Sequence, residues 1–287
     1  VGHPLNRRRK MRALLQFFYW HFSLKAVPGP IVFDWIEPSR FMVRADEYSL
    51  TGNMYCGLLE FSEMTFLLHT ISEEDLFVDI GANAGSYTLL ACSVRKARGI
   101  CFEPVPLTYQ RLVDNVRLNE LGDRVTMYNI GLSDEEGELH FTADDRFTGR
   151  NHVVAEGETP EDMVKVRVEP LDKILKGESP SILKIDVEGY EAPVIRGAHE
   201  TLSDRALHSV IMETNKSGSR YGVDDADLIR MMQGYDFLPY SYDPFSRLLR
   251  KQEEKYSTGN TLFVRDVEAV YEKIAMAPYV QVGKERL

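Results

Sequence analysis

"FVDIGANAGSYTLL", residues 77–90, sets an acid and two glycines between an apolar run and a second apolar stretch. "LFVDI" is short and nearly continuously apolar, the pattern of a strand covered on both faces, and it carries Asp79 near its end. Gly81 and Gly85 then allow a tight bend that brings backbone N–H groups toward a ligand at the start of the next helix. A G-x-x-x-G turn by itself is common in loops. It gains weight from the following strand, "RGICFEP", whose Glu103 comes twenty-four residues after Asp79. An acid near that separation accepts hydrogen bonds from both ribose hydroxyls of an adenosine-bearing ligand.

Outward from this stretch, strand and helix patterns alternate. Phe61, Met64, Leu68 and Ile71 precede it at helical spacing, and "SYTLLACSVRK" follows as a helix. "TYQRLVDNVRLNEL", "EAPVIRGAHETL" and "DADLIRMMQ" read as further helices. "RVTMYNIGLSD", "SPSILKIDVEG", "HSVIMET", "YDFLPYS" and "NTLFVRD" read as strands. Such alternation predicts an α/β fold, a parallel sheet with helices on both faces. Residues 1–57 are expected to be a lead-in of a basic aromatic helix and short strands, and 58–287 the catalytic domain. Residues 135–175 are polar, dotted with glycine and too long for a plain connection, so part of them should be a hairpin or lid.

The chain has 287 residues, 44% of them hydrophobic and 27% charged, with a net charge of −10. That composition fits a globular protein and gives no basic footprint for nucleic acid. Cys56, Cys92 and Cys101 lack metal-binding or disulfide-framework spacing, so reduced thiols and a cytoplasmic setting are expected. "RRRKMR" (Arg7 to Arg12) before "ALLQFFYWHFSL" suits either a helix docked on the protein body or peripheral contact with anionic lipid. The apolar run is too short to span a bilayer. Val1 at the start leaves room for a preceding segment.

Two cofactors compete for the glycine turn. A dinucleotide calls for G-x-G-x-x-G, but Asn83 stands at the second glycine and Asp79 places negative charge beside the turn, which serves a phosphate poorly. S-adenosylmethionine, with an ammonium, a carboxylate and a sulfonium, matches better: Asp79 would meet the amino group and the turn's N–H groups the carboxylate. A nicotinamide-dependent oxidoreductase and a non-catalytic cofactor-binding module, tethered by its N-terminus, are the alternatives.

The blocks "FVDIGANAGSYTLL", "CFEPVPLTYQRLVDNVRLNEL", "NIGLSDEEGELHF", "LDKIL", "ILKIDVEGYEAPVIRGA" and "NTLFV" occur in the order seen in the FkbM family of S-adenosylmethionine-dependent methyltransferases. Over about residues 75–265 the chain resembles that family. The resemblance implies a class I methyltransferase (Rossmann-like) fold, a mostly parallel seven-stranded sheet with an antiparallel last strand. It also implies O-methylation of a hydroxyl, often on a sugar or polyketide-type product. By position, Asp79, Gly81, Asn83 and Gly85 match the first cofactor motif and Glu103 the ribose-binding acid. Ser133 and Asp134 fall where adenine is met in that fold.

Methyl transfer to a hydroxyl needs alignment of the reacting atoms and removal of a proton. In "LKIDVEGYE", Lys184, Asp186 and Glu188 recur at period two, so an extended strand would put all three on one side. Asp186 is expected nearest the methyl as base or orienter, Glu188 at the acceptor hydroxyl, and Lys184 paired with a carboxylate. Glu213 and Asn215 should reach the same edge from the next strand. Asp186, Glu188 and Glu213 have the chemistry to hold Mg²⁺, although a cationic cofactor explains the same carboxylates without a metal. In the 135–175 stretch, Arg150 and Asn151 are candidate contacts to a polar acceptor such as a glycan, and His152 is an alternative base. Tyr190 and "RYG" at 220–222 are placed near the pocket by chain position alone, and His199 and His208 away from it.

Overall fold

The computed structural model describes residues 2–6, 29–44, 48–144, 148–252 and 259–287, with five isolated positions between 7 and 28. The expectations for the basic run and the aromatic stretch after it therefore lie largely outside the described residues. Eight strands form the central sheet: β1 (Leu76–Ile80), β2 (Arg98–Phe102), β3 (Val125–Tyr128), β4 (Ile182–Ile185), β5 (Ser209–Thr214), β6 (Leu238–Asp243), β7 (Leu248–Lys251) and β8 (Gly259–Val264). Their spatial order is β7-β6-β8-β5-β4-β1-β2-β3. Strands β1 to β5 run parallel, and β8 is antiparallel to both β5 and β6. This is the class I methyltransferase order, with the expected antiparallel strand, β8, inserted between β5 and β6.

The eighth strand, β7, is additional to the seven implied by the resemblance. It pairs only with β6, and its exposed Leu248, Arg250 and Lys251 leave Leu249 as its one buried residue. "LLRK" thus carries little strand signal, and its basic side chains protect a sheet edge from pairing with another chain.

Within the sheet, alternation sorts side chains to two faces. Leu76, Val78 and Ile80 of β1 join one apolar cluster with Leu183 and Ile185 of β4, while Phe77 joins the other with Ile182 and Ile211. One face is covered by helices Phe61–Thr70, Pro106–Leu118 and Val267–Met276, the other by Glu191–Arg196, His199–Ser203 and Asp225–Gln233. The helix after β1 is only Ser86–Leu89 before it widens into a π-helical turn, Leu90–Val94, where the Arg95 N–H reaches the Leu90 carbonyl. "EAPVIRGAHETL" is two helices instead of one, broken at Gly197, whose missing Cβ would lie 2.1 Å from the Ser133 carbonyl oxygen.

In the lead-in, strands Ile31–Asp34 and Arg40–Val43 form a hairpin. The N–H groups of Arg40 and Met42 donate to the side chains of Asn119 and Asn115, which fixes the hairpin against helix Pro106–Leu118. Gly137–Thr142 pairs antiparallel with Met163–Glu169, and Gly131–Leu132 completes this small sheet. Its apolar cluster includes Val105, Phe141 and Val153. Among the described residues no helix is long and apolar enough to cross a membrane.

Strand order reverses between β1 and β4, which opens a crevice at their carboxyl ends. There the Asp186 N–H donates to the Ile80 carbonyl, and Gly81 turns at φ +76°. A Cβ on Gly81 would stand 1.8 Å from the Asp186 carbonyl oxygen. Gly81→Ala is expected to destabilise the fold by about 2–5 kcal/mol, from the left-handed backbone and the overpacking together. Thermal unfolding of this variant should show a Tm lower by roughly 5–15 °C.

Candidate functional site

Seven stretches of the chain line one cleft at this crevice. The turn after β1 and Glu103 after β2 form one end, joined by Ile130, Gly131 and Leu132. Lys184, Asp186, Val187, Glu188 and Glu213 come from the ends of β4 and β5. Leu50, Asn53, Leu59, Glu60 and Met64 add a wall, as do Phe141, Gly149, Asn151 and Val153.

Asp79 and Glu103 do converge. The strands that carry them are adjacent, and both side chains are buried. Glu103 Oε2 accepts the Asn83 N–H at 2.9 Å, and Oε1 accepts the Val105 N–H at 3.1 Å. Each oxygen keeps a second lone pair for a ribose hydroxyl. Burial raises Glu103 to about 7, against those two backbone donors. Asn83 adopts φ +50°, a left-handed conformation that Asn tolerates through its short polar side chain, and its Oδ1 accepts the Ala84 N–H. Gly85, at φ +93°, lies behind the turn, where a Cβ would strike Leu112.

The turn's own N–H groups are not free. Gly81 and Ala82 donate to the Phe102 carbonyl, Asn83 to Glu103, Ala84 to Asn83 and Gly85 to the Ala82 carbonyl. The expected cradle of N–H groups for a carboxylate is therefore replaced by donors that hold the turn and Glu103 in place. Asp79 likewise accepts at Oδ2 from the Thr88 N–H and hydroxyl, at 3.1 and 2.6 Å. Burial raises Asp79 to about 6.

At the end of β4 the period-two expectation holds only through Ile185, the last strand residue. Glu188 sits at φ +53° and Gly189 at +104°, and this turn, rather than an extended strand, brings the acids together. Asp186, Glu188 and Glu213 offer oxygens within 4.8 Å of one another, a spacing open to a hard cation. Lys184 is fully buried and donates to Asp186 Oδ2 and Asn260 Oδ1, each at 2.8 Å, with its ammonium 5.1 Å from the centre of the Tyr87 ring. Burial opposes its charge, but Asp186 and Glu60 hold its pKa above the usual lysine range. Burial first, then Asp186, raises Glu188 to about 8. Glu213 is pushed well upward by burial and by the negative charges of Asp186 and Glu188.

Several other candidates sit apart from the cleft lining. Ser133 is buried and donates to Asp134, whose carboxylate is held by Arg196 at 2.7 Å; Ile130 to Leu132 line the cleft in their stead. Of the candidates Arg150, Asn151 and His152, only Asn151 lines it. His152 is engaged by the Arg150 carbonyl and by Glu158 at 3.0 Å, Arg150 is exposed, and Asn215 accepts the Ser217 N–H. Tyr190 lines the cleft and packs edge-on against Tyr221 at 5.3 Å. His199 and His208 are outside the lining, as expected.

Sequence reasoning passed over Glu60, Tyr87, Glu191 and Asn260. Tyr87 donates its hydroxyl to Glu60, and Glu191 accepts the Gly189 N–H, steadying the acidic turn. Glu191 lay within the "DVEGYEAP" block and was open to notice. Glu60 belongs to a segment with no motif.

Residues 79–239 match the methyltransferase FkbM domain. The chain is similar to "Hexuronic acid methyltransferase AglP" of Haloferax volcanii, 29% identical over 58% of this chain and 64% of that one. The match thus spans under two thirds of that relative's length. It is also similar to "Methyltransferase sdnD" of Sordaria araneosa, 27% identical over 56% of this chain and 74% of the other. Among solved structures, P. horikoshii TYW2 in complex with MeSAdo is 16% identical, covers 83% of this chain and 70% of its own, and superposes with a TM-score of 0.42.

The raised pKa of Glu188 has a stability consequence. A carboxyl raised from 4.5 to about 8 on folding favours the folded state below pH 4.5, and that contribution is lost as pH rises through 8. Glu188→Gln removes this loss. Denaturant unfolding at pH 5 and pH 8 should show the variant gaining stability relative to the parent at the higher pH.

Proposed function

Because the chain belongs to the FkbM methyltransferase family, we propose that it transfers a methyl group from S-adenosylmethionine to a hydroxyl of a carbohydrate or glycosylated small molecule. The observation that carries this reading is the meeting, in one cleft, of Glu103 and Asp79 with the acids of β4 and β5. When bound, S-adenosylmethionine supplies an electrophilic methyl on a cationic sulfur.

The residues fit that cofactor. Glu103, held by two backbone donors, keeps acceptor capacity for the ribose diol. Asp79 faces an ammonium, and Ile130 and Leu132 offer an apolar bed beside Glu103 for the base. A pyrophosphate, by contrast, would meet neither free turn N–H groups nor positive charge, which disfavours the nicotinamide alternative.

Asp186 is the base or the orienter of the acceptor hydroxyl. Lys184 positions it from beneath, and Asn260 positions Lys184. Glu188 and Glu213 bind the acceptor's hydroxyls, with Asn151 as a further polar contact on the inserted side. Mg²⁺ is not needed, since Lys184 already sets a positive charge on Asp186. The hexuronic acid relative supports a sugar acceptor.

Incubation with labelled methyl donor and fractionated glycans, lipids and metabolites tests the assignment. Asp186→Asn should lower the transfer rate by ~10²–10⁴-fold while S-adenosylhomocysteine binding is retained. Full transfer by that variant would remove its chemical role. For Glu103→Ala, calorimetry should show S-adenosylhomocysteine affinity reduced by about tenfold or more. Unchanged affinity would remove the ribose contact.

A further inference from the structure

The wall formed by Leu50, Leu59, Glu60 and Met64 lies before the family-matched residues 79–239. It is firmly built. Asn53 Oδ1 accepts the Leu59 N–H at 2.8 Å, and the Leu59 side chain lies on bare backbone at Gly52, where a Cβ would come within 2.7 Å of it. Glu60 accepts the Tyr87 hydroxyl, which ties the wall to the helix after the glycine turn. Leu59 nevertheless stays 42% exposed, an apolar side chain held at the cleft.

The charge of the lining is one-sided. Among the described residues, Glu60, Asp79, Glu103, Asp186, Glu188 and Glu213 line the cleft against the single cation Lys184. That ammonium is already taken by Asp186 and Asn260. Of the groups packed around it, Glu63 and Glu191 add further carboxyls, and Arg220 directs Nη1 to the Glu188 carbonyl at 3.1 Å. Among the described lining residues, a ligand carboxylate entering here would lose water among like charges and find no side-chain cation beyond Lys184. Hydroxyls suffer no such penalty. They donate to carboxylates, and Asp186, Glu188 and Glu213 offer acceptor oxygens within 4.8 Å of one another.

Resting on the methyl-transfer reading, we propose that this cleft selects an uncharged hydroxyl-bearing ring, its apolar face against Leu59 and Met64, and rejects a ring that bears a carboxylate. The acceptor is thus a neutral sugar and not a uronic acid, and Leu59 is a specificity-determining residue outside the family-matched part of the chain.

The test is a mixed pool of neutral and uronate-containing glycans incubated with labelled methyl donor and the full chain, then resolved by anion exchange. Per mole of glycan, label in the unretained neutral fraction should exceed that in the retained fraction by at least about tenfold, which is about 1.4 kcal/mol of discrimination. Leu59→Lys puts a cation at a partly exposed position of the wall and should narrow that ratio by at least about threefold, a shift that a purely structural role for Leu59 would not produce. S-adenosylhomocysteine binding is measured in parallel by calorimetry. Label that is equal in the two fractions or concentrated in the retained one overturns the selection while methyl transfer stands. Cofactor binding with no label in neutral glycans overturns it as well. Absence of cofactor binding overturns the methyl-transfer reading beneath it.

Discussion

Gly81 has no side chain because the carbonyl of Asp186 occupies the place where one would be. That contact, with the Asp186 N–H on the Ile80 carbonyl, presses the end of β4 against the turn after β1. Everything in the cleft follows from it. The glycine turn hangs on β1 and the proposed chemistry on β4, and the 3.0 Å hydrogen bond between their backbones sets the two within reach. A bulkier residue at position 81 would move both at once.

The second constraint is electrostatic. Buried acids are costly unless paired or protonated, and this cleft gathers many around one buried ammonium. Lys184 is satisfied on two sides, by Asp186 and Asn260, and packs on the Tyr87 ring. The remaining carboxyls respond by rising toward neutral pH, Asp79 to about 6, Glu103 to about 7 and Glu188 to about 8. A cationic cofactor is the natural complement to that arrangement, because it restores to these acids the partner that burial has removed.

Much of this was legible in the chain. The continuous apolar run of β1, the acid after β2 and the alternation of strand and helix patterns pointed to a parallel sheet with Asp79 and Glu103 on neighbouring strands, since those features are local and periodic, whereas the antiparallel last strand came only from the family resemblance. What stayed hidden was long-range. Glu60 reaches Tyr87 from a segment with no motif, and Asn260 reaches Lys184 across 76 residues. The basic edge strand β7 lacks an apolar run altogether. The inserted residues Arg150 and His152 were drawn in by chemistry alone, whereas the fold spends His152 on Glu158 and the Arg150 carbonyl. The left-handed Glu188 could not be read from a period of two, which assumes that the strand continues.

The most direct measurement is a crystal structure of the chain with S-adenosylhomocysteine. The account predicts both ribose hydroxyls on the Glu103 carboxyl, the amino group beside Asp79 and the sulfur directed toward Asp186. A nucleoside bound anywhere other than between the β1 turn and Glu103 would contradict it.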